Sequence, residues 1–108
     1  MIGDYISPQA LAAHLNNGSG LLIIDVRSRE AYAAGHIPGA INIPAERLAK
    51  RLDEIRRDRT VVVYCAFRRP GHSSSESAGV LLRENGYAVK VLYGGQPAWR
   101  EAGFAVEK

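Results

Sequence analysis

A chain of 108 residues and 11.7 kDa, 46% apolar and 23% charged, has an ordinary globular composition and the length of one domain. This excludes a disordered chain and two domains of usual size, so residues 1–108 are expected to form a single domain. The net charge of +3 and pI near 9.3, from 14 Lys+Arg against 11 Asp+Glu, suit an anionic substrate but are too small an excess to indicate nucleic acid.

Ser7 as N-cap and Pro8 at the first helical position predict a helix over residues 8–15. Residues 21–25 then form an apolar run without polar alternation, the pattern of a strand buried on both faces. A short helix is expected over 28–34, stopped by Gly35. From 45 to 57, Leu48, Leu52 and Ile55 fall on one face of a helix. Its cations Arg47, Lys50, Arg51, Arg56, Arg57 and Arg59 interleave with Glu46, Asp53, Glu54 and Asp58. Glu46/Lys50 and Lys50/Glu54 have i,i+4 spacing, so this side is a solvated face rather than a nucleic-acid stripe. A second buried strand follows over 60–64, then a helix over 75–85 with Ala78, Leu81 and Leu82 inward and Gly86 as a left-handed stop. A strand over 89–92 and a short helix near 96–102 complete the chain. The alternation predicts an α/β domain with a mainly parallel central sheet, helices on both faces, and ligand sites outside the carboxyl ends of the strands. The longest aliphatic runs, Leu21-Leu22-Ile23-Ile24 and Val61-Val62-Val63, fall far short of the ~20 residues of a bilayer crossing. Met1-Ile2-Gly3-Asp4 carries neither the basic nor the apolar stretch of a signal peptide, so no membrane association and a cytoplasmic location are expected.

Cys65 is the only thiol, which excludes an internal disulfide, and with three histidines it also excludes a zinc site built on several thiolates. Neither metal nor cofactor is expected. The cysteine directly follows the strand over 60–64 and precedes a polar, turn-forming segment, Ala66-Phe67-Arg68-Arg69-Pro70-Gly71-His72-Ser73-Ser74-Ser75. Amides at the start of the next helix and the fixed charges of Arg68 and Arg69 favour the thiolate and attract anions. An inert packing cysteine is the alternative; the place after the strand, beside two arginines, favours chemistry. His72 is either a general base or proton donor, or a solvated loop histidine. Ser73, Ser74 and Ser75 are all plausible N-caps, with Ser73 and Glu76 at capping-box spacing, and capping is compatible with binding an anion.

Several separated motifs resemble one family, the single-domain rhodaneses: Ile24-Asp25-Val26-Arg27, Gly35-His36-Ile37-Pro38-Gly39-Ala40-Ile41-Asn42, Val63-Tyr64-Cys65, and Leu92-Tyr93-Gly94-Gly95 with Ala98-Trp99. Together they run from about Tyr5 to Val106, and it is the set rather than any one motif that is specific. The resemblance implies a rhodanese-like three-layer α/β fold with a five-stranded, mostly parallel central sheet. It also implies thiosulfate sulfurtransferase activity, in which Cys65 accepts a sulfane sulfur as a persulfide and passes it to a thiol or cyanide. The expected partners are therefore a small anionic sulfur donor and a thiophilic acceptor, with the protein a monomer or homodimer. Asp25, Arg27 and His36 match family positions and are read as structural: Asp25 accepts amides at a strand end, Arg27 pairs with a carboxylate, and His36-Ile37-Pro38-Gly39 builds a turn.

The cysteine loop departs from the family pattern. The fifth residue after Cys65, commonly arginine, is Pro70, and alignment by the following helix makes the loop longer than usual. Related arsenate reductases and cell-cycle phosphatases carry arginine at the sixth position, here Gly71, which disfavours phosphate chemistry. Arg68, Arg69, Gly71, His72, Ser73 and Ser74 are thus the candidate substrate-binding residues around Cys65. The alternatives are a noncatalytic regulatory or binding module, or an arsenate reductase-like or phosphatase-like enzyme.

Overall fold

Local signals start and stop most elements where the sequence places them. The computed structural model describes residues 4–18, 20–66 and 74–108. After a two-residue strand, β1 (Tyr5–Ile6), the Ser7 hydroxyl accepts the Ala10 amide at 3.0 Å and opens α1 (Pro8–Asn16). β2 (Leu22–Asp25) leads to α2 (Arg29–Ala34), where the Ser28 hydroxyl accepts the Ala31 amide at 3.1 Å. In the Ile37-to-Ala40 turn the Ala40 amide bonds to the Ile37 carbonyl at 3.0 Å. Pro38 takes its second position and Gly39, at φ 85°, its third, where only glycine avoids strain. β3 (Ile41–Asn42) follows. β4 (Val61–Tyr64) leads to α3 (Ser74–Glu84), which ends at Gly86, φ 93°. The Tyr87 amide bonds to the Leu82 carbonyl and the Gly86 amide to the Arg83 carbonyl, a Schellman stop. β5 (Val89–Leu92) and α4 (Gly95–Glu101) close the fold.

The strands form one five-stranded sheet in the order β1-β5-β4-β2-β3, and every pairing is parallel, where the sequence promised only a mostly parallel sheet. Alternation along β4 divides the core. Val61, Val63 and Cys65 join Ala78 and Leu82 of α3 on one face, whereas Val62 and Tyr64 join Leu11 of α1 and Trp99 of α4 on the other. The helices on both faces account for strands as apolar as β4, whose residues are all fully buried.

The helix expected over 45–57 does not form. The segment makes two 3-10 turns, Ala45–Lys50 and Leu52–Glu54, separated by Arg51 at φ −120°, ψ 18°. A tertiary contact takes over at its end: the Tyr87 hydroxyl meets the Leu52 and Ile55 carbonyls at 2.9 and 2.8 Å, and the Leu52 carbonyl is one that a continuous helix would pair internally with the Arg56 amide. Leu48 and Ile55 are buried and Leu52 packs against them, as the apolar spacing predicts. The tighter winding changes the ion pairing, and the pair formed is i,i+3, Arg51 with Glu54 at 2.8 Å. Arg56 pairs with Asp58 at 2.7 Å, and Arg57 lies over the Tyr87 ring at 4.6 Å, in keeping with a solvated, self-paired face.

Candidate active site at the carboxyl end of the central strand

From β2 the chain passes first to β3 on one side and then to β4 on the other, so the sheet's direction of winding reverses between β2 and β4. Ligand sites of open α/β sheets lie in the crevice at such a point. Here the crevice is a pocket of about 350 Å3 lined by Val26, Arg27 and Ser28 after β2, Ala31 of α2, Ala45 and Glu46, and Cys65 and Ala66 after β4.

Cys65 is 2% exposed and forms no disulfide. The Sγ atom lies 3.3 Å from the Ser75 hydroxyl in the first turn of α3, and the Cys65 carbonyl accepts the Gln96 amide of α4 at 2.9 Å. The first turns of two helices therefore hold the cysteine from either side. Ser75 is itself buried, so its hydroxyl faces the sulfur rather than solvent.

Behind the pocket, the fully buried Asp25 accepts the Arg27 backbone amide at 2.9 Å and a forked pair from the Arg27 guanidinium at 3.0 and 2.7 Å. The same guanidinium donates to the Gly35 carbonyl at 2.7 Å, a carbonyl that also accepts the Gln96 side-chain amide at 3.2 Å. Burial works against the charge of Arg27, but hydrogen bonding and attraction from Asp25 overcome it and raise the arginine's pKa, so the cation is permanent. The Tyr64 hydroxyl donates to Asp25 at 2.8 Å and accepts the Ile37 amide at 3.1 Å. Burial, with the negative charge of Asp25, pushes the Tyr64 phenol above its ordinary range.

Asp25 and Arg27 pair as the sequence reading expects, whereas the turn expected over His36-Ile37-Pro38-Gly39 runs from Ile37 to Ala40, with His36 just before it. His36 Nδ1 lies 2.8 Å from the Tyr32 carbonyl, and its ring stacks on Tyr32 at 3.7 Å, away from the residues lining the Cys65 pocket. Arg27 has a second place that its pairing alone did not suggest, in the wall of the pocket beside Cys65. Arg68, Arg69, Gly71, His72 and Ser73 lie outside the described residues, and Ser74 is placed as the first residue of α3. Ser75 and Gln96 are the contacts that sequence reasoning missed. Ser75 carried a signal as a possible cap; Gln96, 31 positions beyond Cys65, carried none.

Comparison with known proteins agrees with this architecture. The rhodanese-like domain profile matches residues 7–102. The chain is 45% identical over 86 residues to the HTH-type transcriptional regulator Rv0324 of Mycobacterium tuberculosis, a match covering 80% of this chain and 37% of that protein. It thus spans little more than a third of that relative. It is 34% identical over 88 residues to the thiosulfate sulfurtransferase GlpE of Shewanella oneidensis, covering 82% and 84% of the two chains. The crystal structure of a rhodanese-related protein from Thermoplasma volcanium superposes with a TM-score of 0.86 at 26% identity, over 96% of this chain and 97% of that one. With its all-parallel sheet and a cysteine at the end of the central strand, the chain belongs to the rhodanese-like domain family.

Proposed function

We propose that this domain is a sulfurtransferase that moves a sulfane sulfur from thiosulfate, or a related small anion, to a thiol or cyanide through a persulfide on Cys65. The observation that carries this reading is the pocket at the end of β4, where the sole thiol shares a wall with the permanently charged Arg27. The Cys65 thiolate attacks the outer sulfur of thiosulfate; a new S–S bond forms, the original S–S bond breaks, and sulfite leaves with the bonding electron pair. The acceptor thiolate or cyanide then attacks the outer persulfide sulfur and returns Cys65 as the thiolate. Arg27 offsets the donor's charge and the Ser75 hydroxyl hydrogen-bonds the anionic sulfur. Arg68, Arg69, Gly71, His72 and Ser73, which follow Cys65 in sequence, and Ser74 at the start of α3 complete the anion site. The reaction needs no metal or cofactor. No helix among the described residues is long and apolar enough to cross a membrane, and the cytoplasm, with its supply of thiols, is the proposed location.

The experiment is intact mass after incubation with thiosulfate, followed by cyanide. One added sulfur, about 32 Da on Cys65, should appear with thiosulfate and disappear with cyanide as thiocyanate forms, and Cys65→Ser should abolish both. Full turnover in Cys65→Ser would overturn the mechanism. The 45% identity to a regulator favours a second reading, a sensing module. A persulfide that forms but is not discharged by cyanide or thiols would support that reading instead.

A further inference from the structure

A second, larger cleft lies beside the Cys65 pocket. It encloses about 580 Å3, and its lining includes Arg29 and Tyr32 of α2, Asn42 of β3, Pro44, and Arg47 and Arg51 of the 3-10 segment. Of the described lining residues three carry guanidinium groups and none carries a carboxylate. Arg51 is held by a forked pair to Glu54 through Nε and one Nη2 hydrogen, at 2.9 and 2.8 Å, which leaves three of its five N–H donors for another group. Arg29 and Arg47 are exposed, and their side chains make no hydrogen bond or ion pair among the described residues. Arg29 also stands at the first position of α2, where the helix dipole disfavours a cation, so its charge does not serve the helix.

Two of the lining side chains are tied to the backbone. The Tyr32 hydroxyl donates to the Ala40 carbonyl at 2.6 Å while its ring stacks on His36, and the Asn42 side-chain amide donates to the Asp25 and Arg27 carbonyls, each at 3.0 Å. The volume lies within the range of small-molecule sites, and a concave cavity does not suit a nucleic-acid backbone or a membrane surface. Several guanidinium forks around one cavity match the many acceptor oxygens of a phosphate, whereas a single carboxylate fills one fork. We propose that this cleft binds a small phosphorylated molecule, its phosphate held by Arg29, Arg47 and Arg51. The site is independent of Cys65 and of sulfur transfer.

The test is calorimetric titration of the whole protein with inorganic pyrophosphate. Saturable one-to-one binding is expected, weakened about tenfold or more in the double variant Arg29→Gln/Arg47→Gln. The equally charge-reduced doubles Arg68→Ala/Arg69→Ala and Arg59→Gln/Arg100→Gln should stay within about twofold of the parent. Unchanged thermal unfolding of all three would show that these substitutions leave the fold intact. Absence of saturable binding overturns the proposal. Equal loss in the Arg59/Arg100 variant overturns it in favour of diffuse charge, and loss confined to the Arg68/Arg69 variant places the anion at the Cys65 loop instead. Citrate binding as tightly as pyrophosphate overturns the assignment to phosphate.

Discussion

Cys65 Sγ and Ser75 Oγ lie 3.3 Å apart, joining the end of β4 to the first turn of α3. Both groups are buried, so a thiolate formed here depends on the serine proton for part of the solvation it has lost. Ser75→Ala removes a hydrogen bond to an ionised group, worth roughly 1.5–3 kcal/mol, and kcat/KM for thiosulfate should fall by about one to two decades. Steady-state kinetics beside a thermal melt check this. A variant that melts like the parent and keeps full activity would leave Ser75 as packing alone.

Arg27 offers a different test because its charge and its geometry can be separated. Arg27→Lys keeps the cation in the pocket wall but loses the planar fork on Asp25 and the bond to the Gly35 carbonyl. A loss of about 2–4 kcal/mol in unfolding free energy is expected, since Asp25 is fully buried and left poorly paired. The kinetic defect should fall mainly on KM for the anionic donor and be larger for Arg27→Met than for Arg27→Lys. Urea denaturation and thiosulfate kinetics on both variants decide it; equal KM values for the two would remove the electrostatic role.

Elements governed by neighbours in the chain were legible in the sequence. Ser7 with Pro8, Ser28, and the Gly86 stop act within a turn of the backbone, and β2, β4 and β5 announce themselves by apolar runs. β1 and β3, two residues each, are too short for any period to show, and their places in the sheet come only from pairing with β5 and β2. The break of 45–57 into 3-10 turns was not legible, since contacts such as those of the Tyr87 hydroxyl with the Leu52 and Ile55 carbonyls come from more than thirty residues away. The site divides in the same way. Cys65 stood out by its position after a strand, whereas its contacts are with Ser75 and Gln96, far along the chain and on two different helices. The second place of Arg27 depends on the β2–β4 pairing, which brings the two strand ends together.

Gly94 shows a residue whose presence the sequence revealed and whose reason the structure supplies. It precedes α4 at φ 78°, and a Cβ built there would lie 2.5 Å from the Ala98 Cβ. Gly94→Ala therefore meets both backbone strain and a clash, and a cost of at least about 2 kcal/mol is expected. The start of α4 would have to move, and with it the Gln96 amide that holds the Cys65 carbonyl. Persulfide formation should slow more than in an equally destabilised surface variant. Denaturant titration paired with the rate of sulfur uptake from thiosulfate checks this, and an unchanged uptake rate would show that α4 does not position the cysteine.

The last prediction concerns alkaline pH and the bond from the Tyr64 hydroxyl to Asp25 at 2.8 Å. Burial first, then the charge of Asp25 and its hydrogen bond, hold the phenol protonated to higher pH than in the unfolded chain, where it ionises near pH 10. Below about pH 10 both states keep the proton and the stabilisation is complete. As pH rises further the unfolded chain releases its proton first and binds fewer protons than the native state, so stability falls until the native phenol also ionises. This one group contributes a slope of up to about 1.4 kcal/mol per pH unit in that window. Tyr64→Phe should cost about 1–3 kcal/mol near neutrality, because Asp25 and the buried Ile37 amide each lose a partner. It should also lose that slope above pH 10, so the two stability curves converge as pH rises. Urea unfolding of both proteins from pH 7 to 11 measures the difference, and parallel curves throughout would show that Tyr64 ionises alike in the folded and unfolded states.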